Sequence, residues 1–221
     1  MGTRGATSLV FALACGLHFA VLQFSYFFLM EAYLSSQSLS YFVALFFWLC
    51  GFLAGLSIAG ERWFRRVLIA GVITYYVAWS LTSAIPFSRG LYPAAALCST
   101  VSGLAPGCFF PFMARRFATV KGLLFHENNG FILGILISLK ASIHCGSWFL
   151  TWGPLLGGTL VLLLGLAGGW KDPESRATQA IVFHRWGRPR SKKRESPRSA
   201  ADAQRPTAAW GPENAPARAC C

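Results

Sequence analysis

The chain has 221 residues, of which 54% are hydrophobic and only 13% are charged, and its formal net charge is +12. Soluble globular domains carry about twice this charged fraction. With 15% aromatic residues, including 19 phenylalanines, the composition excludes an ordinary water-soluble protein and indicates a membrane protein. Eleven of the 20 lysine and arginine residues follow Trp170. We therefore predict a transmembrane domain over residues 1–170 and a basic tail over 171–221.

Long apolar runs predict an all-α, polytopic membrane protein with six transmembrane helices. The runs cover residues 8–30, 39–60, 67–85, 91–113, 129–150 and 154–169. Apolar sequence continues beyond Cys15, where the mature N-terminus of a secreted protein would turn polar. We therefore interpret the first run as a retained helix and not as a signal peptide.

The basic residues in the connections between the runs predict the orientation of the chain. Those before the first run, after the second and after the fourth are Arg4, Arg62, Arg65, Arg66, Arg115, Arg116 and Lys121. The alternate connections carry only Arg89. The positive-inside rule then predicts that both termini are cytoplasmic, and we expect an integral protein of a bacterial inner (cytoplasmic) membrane.

The tail, residues 171–221, combines proline, arginine and serine, and this composition predicts a mostly disordered segment. One interpretation is a tail that fixes topology and is attracted to anionic lipid headgroups. The other is a docking arm for an acidic partner or for RNA. No nucleic-acid-binding motif surrounds the basic run 185–194, so we favour the headgroups and expect no nucleic-acid partner.

The cysteines and histidines give little support for a metal or cofactor site. None of the seven cysteines stands in a C-x-x-C motif, the spacing that zinc and iron–sulfur sites use. His18 and His144 lie on different predicted helices, which leaves a haem held between them as an alternative. We expect no metal and no cofactor.

Polar residues within the apolar runs are the candidates for a site inside the membrane. Lys140 lies about eleven positions into the fifth run, near the predicted midplane, where a lysine costs about 3 kcal/mol. His144 follows one helical turn later. Either the two handle a proton or an anionic group in a polar cavity, or Lys140 is structural, bonded to backbone carbonyls or to an acidic residue of another subunit. Gln23 and Glu31 in the first helix complete this set, and Glu127 is expected to open the fifth helix.

Four G-x-x-x-G motifs predict close helix packing, because glycine at this spacing lets two backbones approach. They are formed by Gly51 and Gly55, Gly103 and Gly107, Gly130 and Gly134, and Gly153 and Gly157. We expect a tight bundle with at least one glycine-rich face available to another protein. Pro106 and Pro111 are expected to kink or interrupt the fourth helix, as in helices that line transporter cavities.

The connection between the second and third predicted helices resembles a loop motif of the major facilitator superfamily. That motif is an acidic residue followed by arginine, two residues and a basic pair, matched here by Glu61, Arg62, Arg65 and Arg66. Phe64 stands where the family has a glycine. The resemblance implies a loop at this position.

A second resemblance covers roughly residues 8–169. The stretch 16–55, the proline-containing stretch 107–112 and the acidic, glycine-rich stretch 127–134 resemble the membrane domain of integral-membrane spermidine synthase-like proteins. That domain is itself similar to a six-helix half of the major facilitator superfamily. In this family it is commonly joined to a Rossmann-like aminopropyltransferase domain. Residues 170–221 are too few to supply such a domain, so we expect no enzyme activity, although a separate enzyme could accompany the chain.

These observations predict a non-catalytic integral membrane subunit or assembly factor that packs on partner transmembrane helices. The alternative is a small facilitator-like transporter acting as a homo-oligomer, with Lys140, His144 and Gln23 near its cavity. Six facilitator-like helices do not close a translocation path by themselves, which favours the first function. The expected partners are other membrane protein subunits and the lipid bilayer.

Overall fold

A computed structural model describes residues 3–34, 38–58, 60–114, 116–117 and 119–167, with side chains from residue 7 onward. Within these ranges there is no strand, and the chain forms six α-helices and one short 3-10 turn. They are α1 (Thr3–Tyr33), α2 (Ser38–Leu56), α3 (Glu61–Ala84), the turn Arg89–Leu91, α4 (Tyr92–Met113), α5 (Val120–Cys145) and α6 (Ser147–Ala167). Each helix is long and apolar enough to cross a membrane, which confirms the predicted all-α fold with six such helices. The predictions for the tail, 171–221, lie outside the described residues.

Helices α1 and α4 form the centre of the bundle. In their most apolar stretches 61% and 67% of the residues are buried, against 28–39% in the other four helices. Helix α1 packs against each of the other five helices, whereas α5 packs mainly on α1. Because α5 has so few neighbours, most of its surface is exposed.

Two pairs of parallel helices meet along glycines. In the first pair, a Cβ atom added to Gly51 of α2 would overlap the Thr100 carbonyl oxygen of α4, and one added to Gly103 of α4 would overlap the Trp48 carbonyl oxygen of α2. Gly55 and Gly107 make the same kind of contact one turn further along. No other residue leaves room for such an approach of two backbones.

The second pair is α1 with α5. Gly16 of α1 lies against the Glu127 carbonyl, and Gly130 and Gly134 of α5 lie against the carbonyls of Leu13 and Leu17. All six glycines of the first three G-x-x-x-G motifs are thus covered within the chain. The expectation that such a face is available to another protein is wrong for them. The fourth motif lies inside α6, where Gly157 covers His18 and Gly153 lines a groove.

Helix α3 begins at Glu61, six residues before the predicted start, because Phe64 belongs to the core. Its ring is fully buried, stacked on Phe112 with centroids 5.1 Å apart and edge-on to Phe11 at 6.4 Å. The prediction that this motif forms a loop is therefore wrong. Its four charged residues lie in the first turns of α3 and are Glu61, Arg62, Arg65 and Arg66. An aromatic residue at position 64 suits this helix, whereas a glycine suits a turn.

Helices α5 and α6 also begin before their predicted starts. Thr119 caps α5, since its Oγ1 accepts a hydrogen bond of 3.2 Å from the Gly122 backbone N–H. Gly146 separates α5 from α6 with φ 52° and ψ −124°, a backbone conformation that favours glycine. Helix α4 runs without interruption through Pro106 and Pro111, so the expected interruption is wrong, while the alternative of a kink stays a prediction.

Candidate functional site

Lys140 does not lie in the middle of its helix, so the predicted midplane position is wrong. It stands five residues before Cys145, the end of α5, which is about 8 Å at 1.5 Å per residue. Its side chain is exposed, as is that of His144 one turn later. No ion pair joins Lys140 to another residue of the described part of the chain. In the described bundle the two side chains lie on the outer surface and not in an internal cavity, and the lysine stem can extend along the helix toward the membrane surface.

The remaining candidates do not join Lys140 in one site. Gln23 is buried on the central helix α1, whereas Glu31 is exposed near the end of the same helix. Lys140 and His144 thus share the exposed surface of α5, whereas Gln23 is buried in α1 and Glu31 is exposed near the end of α1. The grouping of Gln23 with Lys140 and His144 around one cavity is wrong.

His18, which the sequence analysis named only as a possible haem ligand, is a buried polar side chain of α1. It is fully buried, and neither ring nitrogen has a hydrogen-bond partner in the described bundle. Space for the ring comes from α6, where a Cβ atom on Gly157 would lie 2.8 Å from His18 Nδ1. Two consecutive glycines, at 157 and 158, were the only sequence signal for this contact.

A haem shared by His18 and His144 does not fit this geometry. Leu17 packs against Gly134 of α5, so His18 is at the level of that turn. His144 is ten residues further along α5, about 15 Å away along the helix axis. It is also exposed while His18 is buried. The haem alternative is therefore wrong.

Glu127 lies inside α5 and does not open it, because the helix begins seven residues earlier at Val120. The residue is 6% exposed and contacts α1 at Gly16. Its carboxyl group is close enough to interact electrostatically with the buried thiol of Cys15. Within the described ranges no ion pair involves Glu127. The contact between α1 and α5 therefore contains a buried acidic group.

A hydrogen-bonded cluster joins the central helices to α3. Ser102 Oγ of α4 donates to the Gly71 carbonyl oxygen at 2.8 Å. Ser102 Oγ also lies 2.9 Å from Tyr26 Oη of α1 and 3.1 Å from Thr74 Oγ1 of α3. Nearby, Tyr75 Oη donates to the Leu150 carbonyl of α6 at 2.8 Å. These groups hold four helices together.

An apolar groove of about 280 Å³ opens at the surface between α5 and α6, with α1 at its floor. Apolar side chains of α5 and α6 form its walls. Among the lining residues are Leu17, Val21, Ala141, Cys145, Gly153 and Leu156. Trp148, which also lines it, lies 6.4 Å from Trp152 between ring centroids, and both indoles are exposed at the start of α6.

Two helices expose rows of large side chains at alternating spacings of four and three residues. The α2 stripe consists of Phe42, Phe46, Leu49, Leu53 and Leu56, and the α5 stripe consists of Phe125, Asn129, Ile132, Leu136, Leu139 and Ile143. At 100° per residue, each stripe stays within an arc of about 80° on its helix. Rings 42 and 46 are stacked with centroids 5.2 Å apart.

No set of three or more histidine, cysteine or acidic residues that could hold a metal ion occurs in the ranges described above. No family model matches the chain, and neither a curated protein nor a solved structure matches it. The two family resemblances therefore stay predictions. The candidate sites left by the geometry are the two stripes, the groove, and the buried groups of His18 and Glu127.

Proposed function

We propose that the chain is a non-catalytic integral membrane subunit or assembly factor that packs on the transmembrane helices of a partner. The observation that carries this proposal is the pair of exposed stripes on α2 and α5. Their side chains repeat every three and four residues, the heptad pattern with which helices interdigitate. The lipid-facing side of any membrane helix shows the same spacing, so the crosslinking test below is what distinguishes a partner helix from lipid.

Asn129 supports the proposal from within the α5 stripe. A polar residue in a heptad seam can set the register of two helices, and amides hydrogen-bond across helices inside membranes. Asn129 is exposed, and its Nδ2 donates to the Phe125 carbonyl of its own helix at 2.8 Å. The side-chain carbonyl oxygen of Asn129 can therefore still accept a hydrogen bond from a partner helix.

The buried polar groups support a scaffold role as well. Ser102, Tyr26 and Thr74 bond to one another across α1, α3 and α4. Such contacts stabilise the bundle that presents the stripes. We further propose a bacterial inner membrane, cytoplasmic termini, a tail attracted to anionic headgroups, and kinship with the spermidine synthase-like membrane domain. Each of these rests on the sequence patterns alone.

The test is site-specific photo-crosslinking of the full chain in its native membrane. A photoreactive phenylalanine analogue replaces Leu136 of the α5 stripe or, as a matched control, Leu133 on the same helix outside the stripe. Position 133 is 42% exposed, so lipid reaches both sites. We expect a discrete protein adduct from 136 and only a weak one from 133. Equal labelling at both positions, or none at either, would falsify the proposal.

A second candidate, a homo-oligomeric facilitator-like transporter, draws support from the buried and unpaired ionisable groups of Glu127 and His18. Intramembrane ionisable residues often mark proton or ion pathways. This candidate requires the crosslinked adduct to contain two copies of the chain. It also requires Glu127→Gln to abolish proton-coupled uptake in vesicles while leaving the adduct unchanged.

A further inference from the structure

The groove between α5 and α6 has a positive charge beside an otherwise apolar surface. Ala141 and Cys145 line the groove, and Lys140 and His144 immediately precede them along α5. Both Lys140 and His144 are exposed. The side chains around Lys140 on the exposed surface are apolar, among them Leu139 and Ile143. An exposed ammonium group in such a surface needs an anion that the bilayer can supply.

We propose that this groove binds an acyl chain of an anionic phospholipid of the surrounding bilayer, with the headgroup phosphate against Lys140 and His144. The inference goes beyond the proposed function, because the α5 stripe lies on a different side of the helix. On a helical wheel, Ala141 is about 160° from Phe125, the first residue of that stripe. The groove and the stripe are therefore different faces of α5, and Lys140, about 60° from Phe125, lies between them.

The depth of the groove in the membrane fits this ligand. Lys140 stands about 8 Å from the end of α5, a distance that a lysine stem can largely span toward the headgroups. Trp148 and Trp152 are exposed on the first turns of α6, and exposed indoles favour the headgroup level. The groove extends from Trp148 and Cys145 to Leu160, further along α6. A lipid with its phosphate at the tryptophans would thus have a chain in the groove.

The acidic residues of the bundle favour a lipid over a second copy of the chain as the anion. Only three acidic residues precede position 170, at 31, 61 and 127. Glu127 is buried, and Glu61 begins α3, at the end of the bundle away from Lys140. Glu31 is exposed near the end of α1, so it is the carboxylate that the described bundle of a second copy could offer to Lys140. Anionic lipid is present around every copy.

The first measurement is native mass spectrometry of the full chain released from bilayers of equal phosphatidylglycerol and phosphatidylcholine. We expect preferential retention of phosphatidylglycerol, reduced about fivefold in Lys140→Ala, the effect of one basic residue near a lipid surface. Lys140→Arg should restore it. Equal retention of both lipids by the unmodified chain would overturn the proposal. If Glu31→Gln and Lys140→Ala each abolish the same oligomer of the chain, the anion beside Lys140 is Glu31 of a second copy, and the proposal is overturned.

The second measurement tests the groove itself with a matched pair of exposed leucines on α6. Leu156 lines the groove and is 57% exposed, whereas Leu163 is 58% exposed, lies two turns after Leu156 and is not part of the groove lining. Leu156→Trp should narrow the groove and lower the amount of retained phosphatidylglycerol several-fold, while Leu163→Trp should leave it unchanged. Both changes are on the surface, so folding should survive. Equal retention in the two variants would show that the lipid is held elsewhere.

Discussion

Single glycines determine how closely the helices approach in this bundle. We expect Gly103→Ala to lower the free energy of unfolding by about 1 to 3 kcal/mol or more, because its Cβ would overlap the Trp48 carbonyl. Denaturant unfolding in detergent measures the change. Gly90→Ala is the control, since its Cβ would meet only Ser88 Oγ at 3.7 Å. A similar loss of stability in both variants would show that the close helix contact is not what position 103 contributes.

The hydroxyl group of Ser102 joins three helices. Ser102→Ala should destabilise the protein by about 1 to 2 kcal/mol, because it removes the bond to Gly71 and leaves Tyr26 without this partner. Ser83→Ala provides the comparison, since that exposed hydroxyl bonds only within its own helix at 3.2 Å. Unfolding curves for both variants under the same detergent give the difference. No difference between them would mean that the cluster contributes nothing to stability.

Sequence reasoning identified which residues are polar and apolar, but not where each lies in the bundle. Lys140 stood out because a lysine in an apolar run is rare, yet its depth depended on a helix start placed nine residues too late. His18 was visible as a polar residue, but its burial depends on α6, more than a hundred residues later in the sequence. Burial of this kind follows from tertiary packing and produces no periodic pattern in the local sequence.

At the scale of elements, the apolar runs located all six helices but misplaced several ends. Hydropathy detects the part of a helix that lies in hydrocarbon, and a membrane helix can continue beyond it with polar residues. The first nine residues of α5 are of mixed polarity and include Lys121, His126 and Glu127, so hydropathy did not detect them as part of the helix. The break between α5 and α6 was predicted after residue 150 and not at Gly146, because no proline or acidic residue marks this glycine.

The α5–α6 junction depends on the backbone of Gly146. We expect Gly146→Ala to cost about 1 to 3 kcal/mol, because an L side chain is strained at φ 52° and ψ −124°. The cost is purely conformational, since no atom lies within 4 Å of the added Cβ. Hydrogen exchange at the end of α5 and denaturant unfolding curves measure this loss of stability. The neighbouring exposed Ser147→Ala should change stability by less than about 0.5 kcal/mol, and an equal effect would contradict this explanation.

At the scale of the whole molecule, the side of the membrane on which each end lies can be tested with native cysteines. The positive-inside rule predicts that Cys145 faces the outside and the C-terminal Cys220 and Cys221 face the cytoplasm. A membrane-impermeant maleimide should then label intact cells at Cys145, which is exposed, and the tail only after permeabilisation. The Cys145→Ser variant should lose the labelling of intact cells. Tail labelling without permeabilisation would reverse the orientation.

The pairing of α1 with α5 has a consequence for the order of assembly during synthesis. Gly16 meets its neighbours Glu127 and Phe131 only after more than a hundred further residues have been made. At bacterial and eukaryotic elongation speeds this delay is roughly 5 to 20 seconds. During that interval the first helix to emerge has no α5 to cover its narrow glycine face. The nascent chain must therefore keep α1 within the translocon or among lipids until α5 arrives, and premature release at that stage is where misassembly would begin.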